Sequence, residues 1–166
     1  MTRFTFKKAA EEQAEALANM AHDFWRYFGH QASITPEQLI KDGFSEKPRY
    51  EAFVIETAQQ DLAGFAAGYT TYKLQHGLIG FEIQSLFIRE SYRGNGLGRK
   101  LVSGLVVTKY GDGIREISLS VRPDNKPARS LYKSLEFSEQ DEGLHIRCSL
   151  AGRTLEQSVE KTSKRL

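Results

Sequence analysis

The sequence predicts a mixed α/β fold whose sheet combines antiparallel and parallel strand pairs. Three observations carry that expectation: a helix-period segment behind a short alternating strand at the amino end, three strand-like segments joined by short polar connections, and a strand, helix, strand, helix alternation in the second half. With 166 residues and 40% hydrophobic composition, the chain can bury one substantial core. One domain is expected over residues 1–150, followed by a carboxyl-terminal tail over 151–166.

At the amino end, "RFTFKKA" alternates Phe4 and Phe6 with polar neighbours, as a half-buried strand does. From Ala9 to Phe28, the residues Ala14, Leu17, Ala18, Ala21, Trp25 and Phe28 recur at helical spacing. "SITPEQLIKDG" announces a short second helix, with Thr35 as cap, Pro36 in the first turn, Gln38 closing a capping box and Gly43 as the stop. "YEAFVIET", "LAGFAAGYTTYK" and "LIGFEIQSLFIRE" read as an antiparallel meander, since "AQQD" and "QHG" are short connections. Leu97, Leu101, Leu105 and Val106 then mark one face of a helix that ends at Gly111, "REISLSV" is a strand, and Ala128, Leu131, Tyr132 and Leu135 form the inner face of another helix. That order implies a right-handed crossover and parallel pairing of "IQSLFI" with "ISLSV". Residues 137–150 offer a closing hairpin that turns near "DEG". In the tail, Leu155 and Val159 stand one turn apart with little else apolar, which predicts a short surface helix or disorder.

The totals exclude several classes. Twenty-three Lys and Arg against 21 Asp and Glu leave a net charge of +2, too balanced for a surface that grips nucleic acid. Cys148 is the sole cysteine, so no internal disulfide forms and a structural zinc site has little to build on. No apolar run reaches the length that spans a bilayer, and "MTRFTFKKAAEEQ" lacks the core of a signal peptide. A soluble cytoplasmic protein with no membrane partner is expected.

The most informative stretch is "YRGNGLGRK", Tyr92 to Lys100, which leads from a strand into the amino end of a helix. There the first backbone N–H groups lack intrahelical partners and the helix dipole supplies roughly half a positive charge. Gly94, Gly96 and Gly98 let the backbone approach an anion closely, and Arg93, Arg99 and Lys100 add charge. One glycine would suffice for a plain turn, so the pattern points to a diphosphate cradle. Its GxGxG spacing differs from the GxGxxG of dinucleotide folds, and Gly98 is followed by Arg99 and Lys100 without the hydroxyl of a P-loop.

Arg93, Gly96 and Gly98 match the (Q/R)xxGx(G/A) pyrophosphate signature of the GNAT family of acyl-CoA-dependent N-acetyltransferases, and the chain resembles that family over about residues 50 to 140. "NKPARSLYKSLEF" is similar to the family's second segment through Asn125, Ala128, Leu131, Tyr132 and Phe137, with Glu136 standing where glycine is usual. The resemblance implies a mixed sheet of six or seven strands, flanked by helices, whose fourth and fifth strands splay at a bulge. It implies acetyl-CoA as co-substrate, with its arm against the backbone of Leu86, Phe87 and Ile88 and against Asn125, and its diphosphate held by Arg93, Gly94, Asn95, Gly96, Leu97, Gly98 and Arg99. Acetyl transfer to a primary amine, by direct attack in a ternary complex, is the implied reaction. A small amine is the expected acceptor; a protein lysine or N-terminus, or a non-catalytic acyl-CoA-binding regulatory module, are the alternatives. A homodimer is also expected.

The chemistry needs a neutral amine, and deprotonating an alkylamine of reference pKa near 10.4 at pH 7 costs about 4.6 kcal/mol. Glu82 on the strand before the loop is the candidate base, beside Gln84, which cannot take a proton; an ordinary solvated carboxylate is the other reading of Glu82. Tyr132, seven residues after Asn125, is the tyrosine that the resemblance assigns to protonating the departing thiolate. An amide near Leu86 or Phe87 would steady the oxyanion. "HDFWRYFGH", His22 to His30, leaves two accounts open: core packing, for Trp25 and Phe28 above all, or an acceptor pocket built from Phe24, Trp25 or Tyr27.

Overall fold

The structure, a computed structural model, describes residues 3–164; residues 1, 2, 165 and 166, at the outer limits of the expected domain and tail, lie outside the described residues. In chain order it contains β1 (Phe4–Lys8), α1 (Ala14–Tyr27), α2 (Pro36–Gly43), β2 (Glu51–Thr57), β3 (Leu62–Lys73), β4 (Leu78–Ile88), α3 (Leu97–Gly111), β5 (Glu116–Val121), α4 (Lys126–Ser134), β6 (Ser138–Asp141), β7 (Ile146–Ala151) and α5 (Gly152–Ser163). Tight 3-10 turns precede α1 at Glu11–Gln13 and α3 at Glu90–Tyr92. Among the described residues, no helix is long and apolar enough to cross a membrane.

One mixed sheet of seven strands runs in the order β1-β2-β3-β4-β5-β7-β6. β2, β3 and β4 reverse through short turns, and the parallel pair expected from the crossover is β4 with β5, registered from Gly80↔Glu116 to Ile83↔Leu119. The closing hairpin inserts β7 rather than β6 beside β5, so that Glu116 to Val121 face Ala151 to Ile146 antiparallel.

Two compact units divide the described residues, one of 3–67 with Ser85–Leu101 and the other of Gly68–Gln84 with 102–164. In the first, Leu17 and Met20 of α1 close over Ala52, Val54, Leu62, Phe65 and Phe87, with Leu39, Phe44 and Tyr50 at the margin. Met20 and Val54 are wholly buried, and each such side chain contributes about 1.5–3 kcal/mol. In the second, Phe81, Leu105, Ile117, Leu150 and Leu155 are the largest wholly enclosed groups, and the Lys109 ammonium lies 5.1 Å over the Phe81 ring while pairing with Asp112 at 2.7 Å.

Helix starts follow the sequence signals with one exception. Thr35 accepts the Gln38 amide at 3.2 Å as a cap should, but the Gln38 side chain donates to Asp42, four residues on, so the box closes in one direction only. The segment from 152 onward, left between helix and disorder by its polarity, forms α5, because Leu155 is 1% exposed.

β4 carries an irregularity that matters for function. A Cβ on Gly68 would strike the Phe81 ring at 2.6 Å, and one on Gly64 would strike the Ile88 side chain at 2.3 Å. The glycines stand four apart on β3 and share a face, whereas Phe81 and Ile88 stand seven apart and would face oppositely on a regular strand. One extra residue between them, a bulge, restores the match.

Candidate active site

The cradle forms where the glycines predict it. Gly94 and Gly96 hold φ of +79° and +70°, conformations that side-chain-bearing residues avoid, and a Cβ at either would meet no atom within 4 Å. The turn therefore needs glycine for its backbone path, and it leaves open space in front. Gly98 differs: it sits inside the first turn of α3. The first helical bond runs from the Lys100 amide to the Gly96 carbonyl at 3.1 Å, so the amides of Leu97 and Gly98 precede the intrahelical ladder. That donor set, in a backbone open to an approaching group, fits a diphosphate.

The side chains around the cradle brace it. Asn95 turns its amide inward and donates to the Tyr92 and Arg93 carbonyls, each at 3.1 Å. Lys100, expected to add charge to the cradle, instead donates to the Phe4 carbonyl of β1 at 2.6 Å. Arg93 donates from Nε to the Ile88 carbonyl at 3.0 Å, with its guanidinium 5.1 Å from the Tyr27 ring centre and 5.7 Å from that of Phe87.

The end of β4 is directional. The Arg89 amide donates to Ala63 of β3 at 3.0 Å, and the Phe87 carbonyl likewise faces β3, 2.8 Å from where a Gly64 Cβ would stand. By alternation Leu86 and Ile88 turn their backbone groups to the other edge, past the last registered pair with β5 at Ile83↔Leu119. Of the three residues expected to face the coenzyme arm, Phe87 thus turns its carbonyl to β3 with its ring in the core, 9% exposed, while Leu86 and Ile88 turn their backbone groups the other way, where the Ile88 carbonyl accepts from Arg93.

In the second unit, α4 brings Asn125 and Tyr132 onto one short helix. Asn125 is the cap, its Oδ1 accepting from the Ala128 amide at 3.3 Å, and Pro127 falls in the first turn. At the other end the Phe137 amide donates to the Tyr132 carbonyl at 3.0 Å and the Glu136 amide to Lys133 at 3.0 Å, with the Tyr132 and Phe137 rings 5.8 Å apart. This is a Schellman closure with Tyr132 as its third residue from the end and Glu136, φ +66°, in the left-handed position. The departure from glycine at 136 therefore leaves the turn intact, and the Glu136 carboxylate binds Lys161 of α5 at 2.9 Å. Tyr132 is 5% exposed; burial first, and the Cys148 thiol second, hold its phenol well above the usual tyrosine range. Its hydroxyl stays protonated, as a proton donor requires.

Glu82 sits in a network that sequence reasoning did not foresee. Arg147 of β7 grips it with both terminal nitrogens, at 2.9 and 2.7 Å, and Ser118, its register partner on β5, donates to Oε2 at 2.7 Å. Three of the roughly four acceptor positions of a carboxylate are filled, leaving one on Oε1. Arg147 and Cys148 are consecutive on β7 and point to opposite faces. Arg147 meets Glu82 while Cys148 neighbours Tyr132, so the candidate base and the candidate acid lie on opposite faces of the sheet.

The aromatic end of α1 resolves into two groups. Phe24 packs edge-on against Phe28, Phe65 and Phe87 and belongs to the core. Trp25, at core-like spacing, is 40% exposed, and Tyr27 is 65% exposed, both standing in the last turn of α1. His22 hydrogen-bonds the Ile34 carbonyl at 2.8 Å, tying α1 to the segment before α2.

The model of the Acetyltransferase (GNAT) family matches residues 17–137. A thialysine N-epsilon-acetyltransferase of Bos taurus is 28% identical over 124 residues, 69% of this chain and 72% of its own length. Among solved structures, PaiA N-acetyltransferase from Thermoplasma acidophilum in complex with coenzyme A superposes with a TM-score of 0.68 at 19% identity, covering 90% of this chain and 99% of that one. Spermidine N-acetyltransferase from Vibrio cholerae, with coenzyme A and spermine, gives 0.72 at 16% identity, covering 92% and 98%. At those identities the likeness is one of fold.

Proposed function

This chain belongs to the GNAT family of acetyltransferases and is an acetyl-CoA-dependent N-acetyltransferase, and from that premise we propose that its acceptor is the primary amine of a small metabolite. The observation that carries the coenzyme half of the reading is the turn at Gly94 and Gly96, left-handed at both glycines and open in front, with the unladdered amides of Leu97 and Gly98 behind it. The small-amine half is supported by the bovine relative, named for acetylating the ε-nitrogen of thialysine.

When bound, acetyl-CoA supplies an activated acyl group on a thioester. The amides of 94–98, with the Arg93 guanidinium, take the diphosphate, and the outward backbone groups of Leu86 and Ile88, apart from the Ile88 carbonyl that Arg93 holds, pair with the amides of the arm. Asn125 contributes its side-chain amide nitrogen, which donates to none of the described residues once Oδ1 has capped α4. An outward amide, that of Leu86 or Ile88, steadies developing charge on the carbonyl oxygen; loss of such a donor costs roughly 3 to 4 kcal/mol elsewhere. Glu82 uses its remaining Oε1 position, directly or through one water, to draw a proton from the amine, and the buried Tyr132 hydroxyl donates to the departing sulfur. Cys148 is a free buried thiol, which supports a reducing, cytoplasmic setting.

A thiol-release assay with acetyl-CoA and a panel of acceptors tests the reading: thialysine, a linear diamine, a polyamine, and lysine-bearing and free N-terminal peptides. Turnover of a small amine above the peptides is expected; turnover of peptides alone would overturn the acceptor class.

A further inference from the structure

We propose that Tyr27 is a positioning residue for coenzyme binding: its ring forms the outer wall of a slot that aims the Arg93 guanidinium at the diphosphate. The inference rests on the reading that the 93–99 turn holds that group. Arg93 is constrained on three sides, by the Ile88 carbonyl at Nε and by the faces of Phe87 and Tyr27. Phe87 is anchored in the core at 9% exposure, whereas Tyr27 is 65% exposed and is itself steadied edge-on by Phe28 at 5.2 Å.

Only Nε is consumed. Among the described residues, the hydrogen bond of the Arg93 side chain is that of Nε, and its two terminal nitrogens donate to none of them. A guanidinium tethered at Nε and placed over two rings, with its fork free, is prepared for bidentate contact with a phosphate, because part of the side-chain freedom an arginine ordinarily loses on binding is already given up. The next residue is Gly94, the first left-handed position of the cradle, so the fork and the amides sit side by side along the chain. Removing the outer ring leaves Arg93 tethered at Nε and against Phe87, yet free to swing.

The test is calorimetric titration of coenzyme A into the intact chain and its Tyr27→Leu, Tyr27→Phe, Arg93→Ala and Tyr27→Leu/Arg93→Ala variants. Tyr27→Leu is expected to weaken binding about two- to fivefold, the scale of an exposed cation–π contact. Tyr27→Phe, which keeps the ring face, restores it, and Arg93→Ala abolishes the difference that Tyr27→Leu makes. Unchanged affinity in Tyr27→Leu, or the same loss with Arg93 already removed, overturns the proposal while the coenzyme reading stands. A wild-type chain that binds no coenzyme A overturns both.

Discussion

Glu136 offers a perturbation whose size follows from the backbone. It holds φ +66° at the residue that closes α4, a conformation costing an L-residue about 1–2 kcal/mol relative to glycine. Replacing it with glycine relieves that strain but loosens the unfolded chain, which returns about 0.5–1 kcal/mol. Both Glu136→Gly and Glu136→Ala lose the Lys161 pair, whose side chains are 46% and 57% exposed, so screening leaves it worth only a few tenths of a kcal/mol. The comparison of the two variants cancels that loss. Glu136→Gly is expected to be the more stable by about 0.5–1 kcal/mol, a difference of a few degrees in Tm for a chain of this size. Urea denaturation read by circular dichroism measures it. A glycine variant equal to or weaker than the alanine variant would show that residue 136 is not left-handed and that Tyr132 is not held by the closure described.

Three further expectations follow. Tyr132→Phe should lower kcat by about 10²–10⁴ while the calorimetric affinity for coenzyme A stays unchanged, and an unaltered rate would remove the hydroxyl from the reaction. Glu82→Gln should lower kcat on a comparable scale if the carboxylate takes the amine's proton; a variant that loses only melting temperature, with kcat intact, would reduce Glu82 to a partner of Arg147 and Ser118. Stability should fall in alkali: burial pushes Cys148 up to about 11 and Tyr50 up to about 12, and Tyr132 still higher, so the folded chain holds these protons more tightly than the unfolded one. Their contribution is whole below about pH 9, where the unfolded groups keep their protons, and is lost as pH rises toward 12. A urea midpoint that stays level across that window would contradict the burial of these groups.

Much of this architecture was legible locally. Helical periodicity marked α3 to its observed ends, the short polar turns required the meander, and the glycine spacing announced the cradle, because each signal lies within a few residues of the structure it determines. What escaped depends on distance along the chain. Glu82 meets Arg147 across 65 positions, and Tyr27 meets Arg93 across the whole meander, with nothing in either neighbourhood to name its partner. Arg147 is the one arginine of the closing hairpin, yet nothing local ties that hairpin to the strand that carries Glu82. Trp25 fitted the apolar spacing of α1 but stands at its last turn, where the helix has outrun the core. α5 was underrated for the opposite reason: Leu155 alone supplies a fully buried anchor.

The most direct measurement is coenzyme A affinity in Gly96→Val, with Gly111→Ala at the far end of the same helix as control. Neither new side chain meets a neighbour within 4 Å at its Cβ, and Gly96 alone of the two is left-handed and in the cradle. The account predicts a folded Gly96→Val protein that binds coenzyme A at least tenfold more weakly than wild type, and a Gly111→Ala protein that binds it normally. Full affinity in folded Gly96→Val would contradict the claim that bare backbone at this turn receives the diphosphate.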